Sequence, residues 1–461
     1  MSPVKLRLTG RQHEAIRRYL LPSDGLEAVA LALCGRRRGE REHVLTVHKV
    51  CFVPYDRCDR APGSVRWPTN LLVPLVEEAG RRNMAILKIH SHPYGGRRFS
   101  PVDDVSDTEI FTSVFTWIET DEPHASAIML PDGELYGRAI VEPGKFAPLA
   151  SVTVAGDDLS FWYPDDENAP VPEFARRHTQ LFGAGTTRLL RRLCMGVVGC
   201  SGTGSIVIEL LARLGVGRLV LVDPDQVEEK NLNRIMNATR EDADLGRFKV
   251  DVAARSIARM GFGTELTTVT KNLVTNEAVE AIAGCDVVFG CMDTAEGRHT
   301  LSKLASFYLI PYFDVGVRLD ADGAGGIDQV CGAVHALQPD GSSLLSRGVY
   351  TMARVEAEGL WRTNPELYNQ QVEEGYLHGV DEERPAVASV NSFFAAMAVN
   401  EFLARLHPYR YEKNGDFAVV RTSLIQGETY RETEGEPCRV IARHAGRGDV
   451  EPLLDMPELS G

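Results

Sequence analysis

Residues 194–215 read CMGVVGCSGTGSIVIELLARLG. An apolar run ends at Gly199, a glycine-punctuated turn follows, and the spacing then becomes helical. This is a strand, a loop and a helix in immediate succession. Gly199, Gly202 and Gly204, with the small Ser201 between them, let backbone approach a phosphate, and the helix N-terminus adds positive potential. Around this stretch strand and helix patterns alternate: RLVLVD, KVDVAARSIARMG, ELTTVTK, EAVEAIA, CDVVFGC, HTLSKLASFYLI. Such alternation predicts a parallel sheet with crossover helices, an α/β doubly wound domain.

The glycine loop alone is equally a dinucleotide-binding fingerprint, so a dehydrogenase is the competing reading. Asp223 ends the next strand, where a carboxylate can hold ribose hydroxyls. The following VDPDQVEEKNLNR supplies Asp225, Asn231 and Arg234, Lys249 follows on a helix, and Asp293 ends a later strand. Hydride transfer has no use for Arg, Lys and a strand-end Asp around the phosphates. Adenylate transfer does: a carboxylate attacks the α-phosphate of ATP, pyrophosphate leaves, and the site must neutralise triphosphate charge.

Upstream, the chain is of another kind. DGLEAVALALCG and HVLTVHKVCFVP read as strands, TNLLVPLVEEAGRRN as a helix, and MAILKIHSH as a strand. SDTEIFTSVFTWIET reads as a helix capped by Ser106 or Asp107, and HASAIMLPDGELYGRAIVE as a hairpin turning at PDG. At the end of one strand stands HSHPYGGRRFSPVDD, residues 90–104. Strand residues two apart share a face, so His90 and His92 can aim at one point. Asp103 can complete a His₂-carboxylate set, which leaves a catalytic zinc its fourth position for water. Ser100 can donate to a developing oxyanion.

Two resemblances follow from these residues. H-S-H, seven residues, Ser, two residues, Asp resembles the JAMM (JAB, MPN+) metalloprotease motif, over about residues 1–145. That resemblance implies Zn²⁺ on His90, His92 and Asp103. It makes Glu27 the general acid/base and gives Ser100 the role of polarising the scissile carbonyl. The second half, from about 175 to 410, resembles the ThiF/MoeB/HesA superfamily, the adenylating core of ubiquitin-activating enzymes. That resemblance implies ATP and Mg²⁺, with Asp223 on ribose, Asn231, Arg234 and Lys249 on the phosphates, and Asp293 on Mg²⁺. Arg177 lies where the family often supplies an arginine to a partner subunit's ATP. Many members have glycine where this chain has Ser201.

The expected division is a JAB-like mixed α/β domain over 1–163, a linker over 164–174 rich in acidic residues and proline, a ThiF-like domain over 175–410, and a C-terminal extension over 411–461. The expected partner is a ubiquitin-like or sulfur-carrier protein ending in glycine. A conjugating-enzyme-like protein is a further expected partner, and a homodimer the expected assembly. The two functions together describe a bacterial ubiquitin-like pathway enzyme. The alternatives are sulfur mobilisation through a ThiS-like or MoaD-like carrier, a non-catalytic scaffold, and adenylation of a small molecule or tRNA base.

Composition narrows the classes further. The chain has 461 residues and a formal charge of −14, which argues against a general nucleic-acid or membrane-surface binder. No apolar run has the length of a membrane span. The nine cysteines are scattered without any C-x-x-C, so no tetrathiolate zinc is expected and a reducing cytoplasm fits. Relatives that pass their acyl group to a thiol carry that cysteine in the segment before the long helix PAVASVNSFFAAMAVNEFLARL. Here Cys331 and Cys438 bracket that segment and no cysteine lies between them. Cys438, in a polar tail, reads as the one exposed candidate.

Overall fold

The computed structural model describes residues 2–165, 169–374 and 385–460, so part of the expected linker lies outside the described residues. Contacts divide the chain into two compact units. One comprises Met1–Asn168 with Phe307–Leu309 and His444–Leu454; the other comprises Ala169–Ser306, Ile310–Arg443 and Asp455–Gly461. Among the described residues no helix is long and apolar enough to cross a membrane.

In chain order the first unit contains β1 (Val4–Thr9), α1 (Gly10–Leu20), β2 (Val29–Arg38), β3 (His43–Phe52), β4 (Asp59–Ala61), β5 (Ser64–Arg66), α2 (Val73–Arg82), β6 (Ala85–Ser91), α3 (Pro101–Ile118), β7 (His124–Met129), β8 (Leu135–Glu142), β9 (Lys145–Pro148), β10 (Ser151–Ala155) and β11 (Leu159–Trp162). Apart from the β4–β5 ribbon, the strands form one mixed sheet in the order β11-β10-β1-β3-β2-β6-β7-β8-β9. Strand β2 is apolar almost throughout because both faces of the sheet are covered. Ala30, Ala32 and Cys34 join a cluster on one side with Leu87 and Ile89. Val29, Leu31 and Leu33 join another with Ile86, Leu75, Phe111 and Val114. On β6, Lys88 and His90 alternate with Leu87 and Ile89, so they face the side covered by α2 and α3.

This sheet also receives residues from far along the chain. Gly35 N–H donates to Gly446 O, Arg36 bridges Gly448, and Asp449 N–H donates to Arg36 O. The approach requires glycine: Gly446 and Gly448 have φ of 73° and 65°. A Cβ on Gly446 would stand 2.2 Å from Val47 O, and one on Gly448 2.4 Å from Arg36 O.

The second unit continues with α4 (Arg176–Arg192), β12 (Cys194–Val198), α5 (Gly202–Arg213), β13 (Arg218–Val222), α6 (Arg240–Asp244), α7 (Lys249–Met260), β14 (Glu265–Val269), α8 (Asn276–Ala283), β15 (Val287–Gly290), α9 (Ala295–Tyr308), β16 (Tyr312–Ala321), β17 (Ile327–Leu337), α10 (Met352–Thr363), α11 (Pro365–Glu373), α12 (Ala388–Leu406), β18 (Val419–Ser423) and β19 (Glu428–Glu432). The sheet order is β14-β13-β12-β15-β16-β17-β18-β19. Pairings from β14 to β16 are parallel, as the alternation predicts. From β16 onward they are antiparallel. Between β16 and β17 the cause is local: the glycine-rich connection 322–326 is far too short for a parallel crossover and can only make a hairpin. The segment from 411, read as an extension, forms no unit of its own: β18 and β19 complete this sheet, and His444–Leu454 group with the first unit.

Gly448→Ala is expected to lower stability by about 2 kcal/mol or more, combining left-handed strain with backbone collision. Thermal denaturation of the full chain checks this, with Gly63→Ala, where nothing lies within 4 Å, as the silent control.

Candidate functional site

In the first unit, β6 delivers His90 and runs on to His92, while α3 delivers Asp103 in its first turn. His90 Nε2 lies 3.2 Å from His92 Nε2 and 3.1 Å from Asp103 Oδ1, and His92 Nε2 lies 4.0 Å from Asp103 Oδ2. These are the only three or more His, Cys, Asp or Glu among the described residues whose donor atoms converge closely enough for one metal ion. Two ligand atoms on a tetrahedral zinc lie about 3.3 Å apart, given bonds of about 2.0–2.1 Å, so the donor set fits a small divalent cation.

The surroundings set the protonation of these three groups. Gly96 O lies 3.1 Å from His92 Nδ1 and accepts its proton, which frees Nε2 as a lone-pair donor. Burial lowers the His90 pKa, against Asp103, and so favours the neutral imidazole. Its Nδ1 is buried without a partner among the described residues. Burial raises Asp103, but His90 and Ser100 outweigh it and keep the carboxyl well below its usual range.

Asp103 is placed by a helix cap. Ser100, not Ser106 or Asp107, caps this helix, which begins six residues earlier than its apolar pattern suggests. The Ser100 hydroxyl donates to Asp103 Oδ2 at 2.7 Å and accepts from Asp103 N–H at 3.2 Å. In this structure its proton is therefore committed to the ligand carboxylate. Asp107 instead lies inside the helix, fully buried, bound to Lys88 and Arg138.

Glu27 precedes β2. Val29 pairs with His90, and continuing that register through Ala28 and Ser91 sets Glu27 opposite His92. Burial, with the Asp103 carboxylate adding to it, pushes Glu27 up to about 7. A carboxyl poised there can both take and return a proton near neutrality.

In the second unit, the loop after β12 turns at Gly199 with φ of 89°. A Cβ on Gly204 would stand 1.7 Å from Gly199 O, and one on Gly202 3.2 Å from Arg234 Cδ. The first turn of α5 thus lies against the loop, and the Arg234 stem crosses it. Ser201 sits at the N-cap without a side-chain cap bond. Asp223 is buried at the end of β13, accepting from Cys200 N–H and Asp225 N–H. Burial raises its pKa, against the pull of Lys249. Lys249 Nζ lies 2.7 Å from Asp225 Oδ2 and 4.0 Å from Asp223 Oδ1.

The remaining residues are placed as follows. Asn231 is buried and caps its own turn through Glu228 N–H. Arg234 donates to Lys230 O and Asn233 Oδ1, and Asp293 is exposed at the end of β15. Arg177 is exposed on α4 and bonds to no described residue. The fold therefore gathers Gly199, Gly202, Gly204, Asp223, Asp225, Arg234 and Lys249, while Arg177 is tied to none of them.

Three features depart from the sequence reading. Asn391, on α12, places its amide nitrogen 2.3 Å from where a Gly202 side chain would begin. Arg298 and Asp314, outside every motif, form a buried pair beside the strand ends. Cys438, read as exposed, is buried, its amide held by Gly341 O. Burial raises that thiol, but Ser343 and neighbouring amides bring it below its ordinary value.

The family model described as ThiF family matches residues 175–438. The chain is 30% identical over 148 residues to ubiquitin-like modifier-activating enzyme 5 of Arabidopsis thaliana, covering 29% of this chain and 34% of that protein. It is 32% identical over 145 residues to SAMP-activating enzyme E1 of Haloferax volcanii, covering 32% and 49%. The chain thus spans a third to a half of the length of these relatives. Among solved structures, MccB of E. coli superposes with a TM-score of 0.45 at 16% identity, over 61% of this chain and 75% of that one.

One measurement tests the cradle and another the stability of the second unit. Gly204→Ala should abolish nucleotide binding, read by titration with a fluorescent ATP analogue. Asp242 is buried and bonded to Arg255 and Arg247, and Arg255, with the Thr239 hydrogen bonds, holds its carboxyl far below the ordinary value. A depressed carboxylate stabilises above its unfolded pKa of about 3.9 and loses that contribution as pH falls toward the folded value. Asp242→Asn should therefore cost on the order of 3 kcal/mol at neutral pH, and the gap to the parent should shrink in denaturation curves below about pH 4.

Proposed function

The chain belongs to the ThiF family, and from that premise we propose that its second unit adenylates the C-terminal glycine carboxylate of a ubiquitin-like protein. One carboxylate oxygen forms a bond to the α-phosphorus of ATP, the bond to the β-phosphate oxygen breaks, and pyrophosphate leaves with the electron pair. The attacking group is already ionised, so no general base is needed. The carrying observation is the joint placement of the glycine loop, buried Asp223, Lys249 and the Arg234 stem. A carboxylate for ribose and two cations for phosphates surround one backbone cradle. Asp293 is the ligand assigned to Mg²⁺, Asn231 supports the phosphate-facing turn, and Arg177 is assigned to a partner subunit's nucleotide in a homodimer.

The first unit, in this proposal, is a JAMM-type zinc peptidase. The convergence of His90, His92 and Asp103 supports it, with Glu27 titrating where a proton shuttle must. Bound zinc would supply a hydroxide at neutral pH; Glu27 takes the proton from the attacking water and returns it to the leaving amine. Ser100 orients Asp103 and, on releasing that bond, donates to the carbonyl. The peptidase exposes a terminal glycine, or reverses its conjugates, and the adenylating unit activates that glycine. This reading makes it a cytoplasmic enzyme of a bacterial conjugation pathway, with sulfur transfer through a carrier protein as the alternative. With Cys438 buried and no cysteine in the segment before α12, the adenylate passes to a nucleophile on another protein, such as a conjugating-enzyme thiol or a carrier persulfide.

ATP–pyrophosphate exchange with glycine-terminated ubiquitin-like proteins tests the second half. Asp293→Asn should reduce exchange by about a hundredfold or more; exchange unchanged in this variant would end the assignment. For the first half, the purified chain should hold about one zinc by elemental analysis. Glu27→Gln should keep that zinc while losing cleavage of a glycine-extended precursor, whereas His90→Ala should lose both.

A further inference from the structure

Arg298 lies in the first turn of α9, five residues after Asp293, and its N–H donates to Thr294 O at 3.2 Å. Its Nε donates to Asp314 Oδ1 at 3.2 Å, and Tyr312 Oη donates to the same oxygen at 2.7 Å. Asp314 is fully buried, yet its Oδ2 has no partner among the described residues. The two terminal nitrogens of Arg298 likewise bond to no described residue.

This is a wasteful geometry for a purely structural ion pair. A fork-to-fork pairing would satisfy both carboxylate oxygens and add strength. Leaving a buried oxygen unbonded is destabilising. The end-on arrangement instead fixes the guanidinium by its inner nitrogen and keeps its outer edge, with two parallel donors, for another group. Side chains that would crowd that edge are missing. A Cβ on Gly316 would stand 3.4 Å from Arg298 Nη2, and a Cβ on Gly290, paired with Asp314, would collide with Tyr312.

Strand order says what that group is. Asp223 ends β13, the glycine loop follows β12, Asp293 follows β15, and Asp314 lies on β16; these are four successive strands. Lys249 stands toward β13, beside Asp225, Arg234 lies over the first turn of α5 after β12, and Arg298 stands toward β16. An in-line displacement puts nucleophile and leaving group on opposite sides of the α-phosphorus. Deepening the adenylation reading on which it rests, we propose that Arg298 holds the terminal carboxylate of the acyl substrate, with Asp314 and Tyr312 as its positioning residues. One carboxylate oxygen stays hydrogen-bonded to the guanidinium while the other attacks phosphorus. No proton moves, and the retained oxygen becomes the carbonyl of the acyl adenylate.

The test uses the full chain saturated with Mg²⁺ and the non-hydrolysable nucleotide AMPCPP. A ten-residue peptide ending in Gly-Gly is titrated by calorimetry, once with a free carboxylate and once amidated. The wild-type chain should bind the carboxylate form about tenfold tighter. Arg298→Gln should reduce that preference to about twofold or less, while AMPCPP affinity stays within about twofold of the parent. Because Arg298→Gln strands a buried carboxylate, Arg298→Gln/Asp314→Asn is measured beside it and should show the same lost preference. Equal binding of the two peptides by the wild type, or a preference that survives in both variants, overturns the assignment of Arg298. Loss of AMPCPP affinity in both variants reduces the pair to a structural bridge and also overturns it. A wild-type chain that binds no AMPCPP brings down the adenylation reading itself.

Discussion

Helix α5 begins directly against the carbonyl of Gly199, and the nucleotide half depends on that contact. Where the following helix needs a side chain, the fold supplies only hydrogen. The loop can therefore close tightly enough to aim successive N–H groups inward, and Asp223 can reach back from β13 to hold one of them. The acid that anchors the loop is the acid assigned to ribose, so shaping the cradle and recognising the ligand share one group. The Arg234 stem over Gly202 adds to this, bringing a cation to the loop through packing rather than through a charge partner.

The first unit solves a similar problem with a sheet. His90 at the end of β6 and His92 just beyond it come together, and a helix cap turns Asp103 toward them. Beneath them, Lys88 meets Asp107 on the same face of the sheet, and Arg138 meets Asp107 from β8. A buried ion cluster beside the ligands fixes where α3 lies against the strand. Each pair is costly to desolvate and costlier to break, so the placement of His90, His92 and Asp103 is set by interactions that tolerate little drift.

Local patterns carried most of this in the sequence. Period-two and period-3.6 spacing placed the strands and helices around the glycine loop and around His90, and the glycines marked the turn after β12. What stayed hidden is non-local. Arg298 and Asp314 meet across a helix and a strand, and nothing in either neighbourhood announces the other. Asn391 looks like any of the polar residues of α12 until that helix is laid against α5. Cys438 sits in a polar stretch, yet a turn from residues near 341 covers it. The start of α3 was misplaced for another reason: apolar periodicity begins where a helix meets the core, whereas its cap can lie a turn or more earlier. Ser100 and Asp103 are spaced as a capping pair, and that signal was present.

The segment around Gly446–Asp449 has a consequence for synthesis. Arg38 N–H donates to Asp449 Oδ2 across a separation of 411 residues. At roughly 5–20 residues per second, the ribosome needs about 20–80 s to make what lies between. During that interval the first sheet exists with its late-coming backbone partners still unmade. Gly35, Arg36 and Arg38 wait with open peptide groups, so the earliest part of the chain to emerge is among the last to be finished.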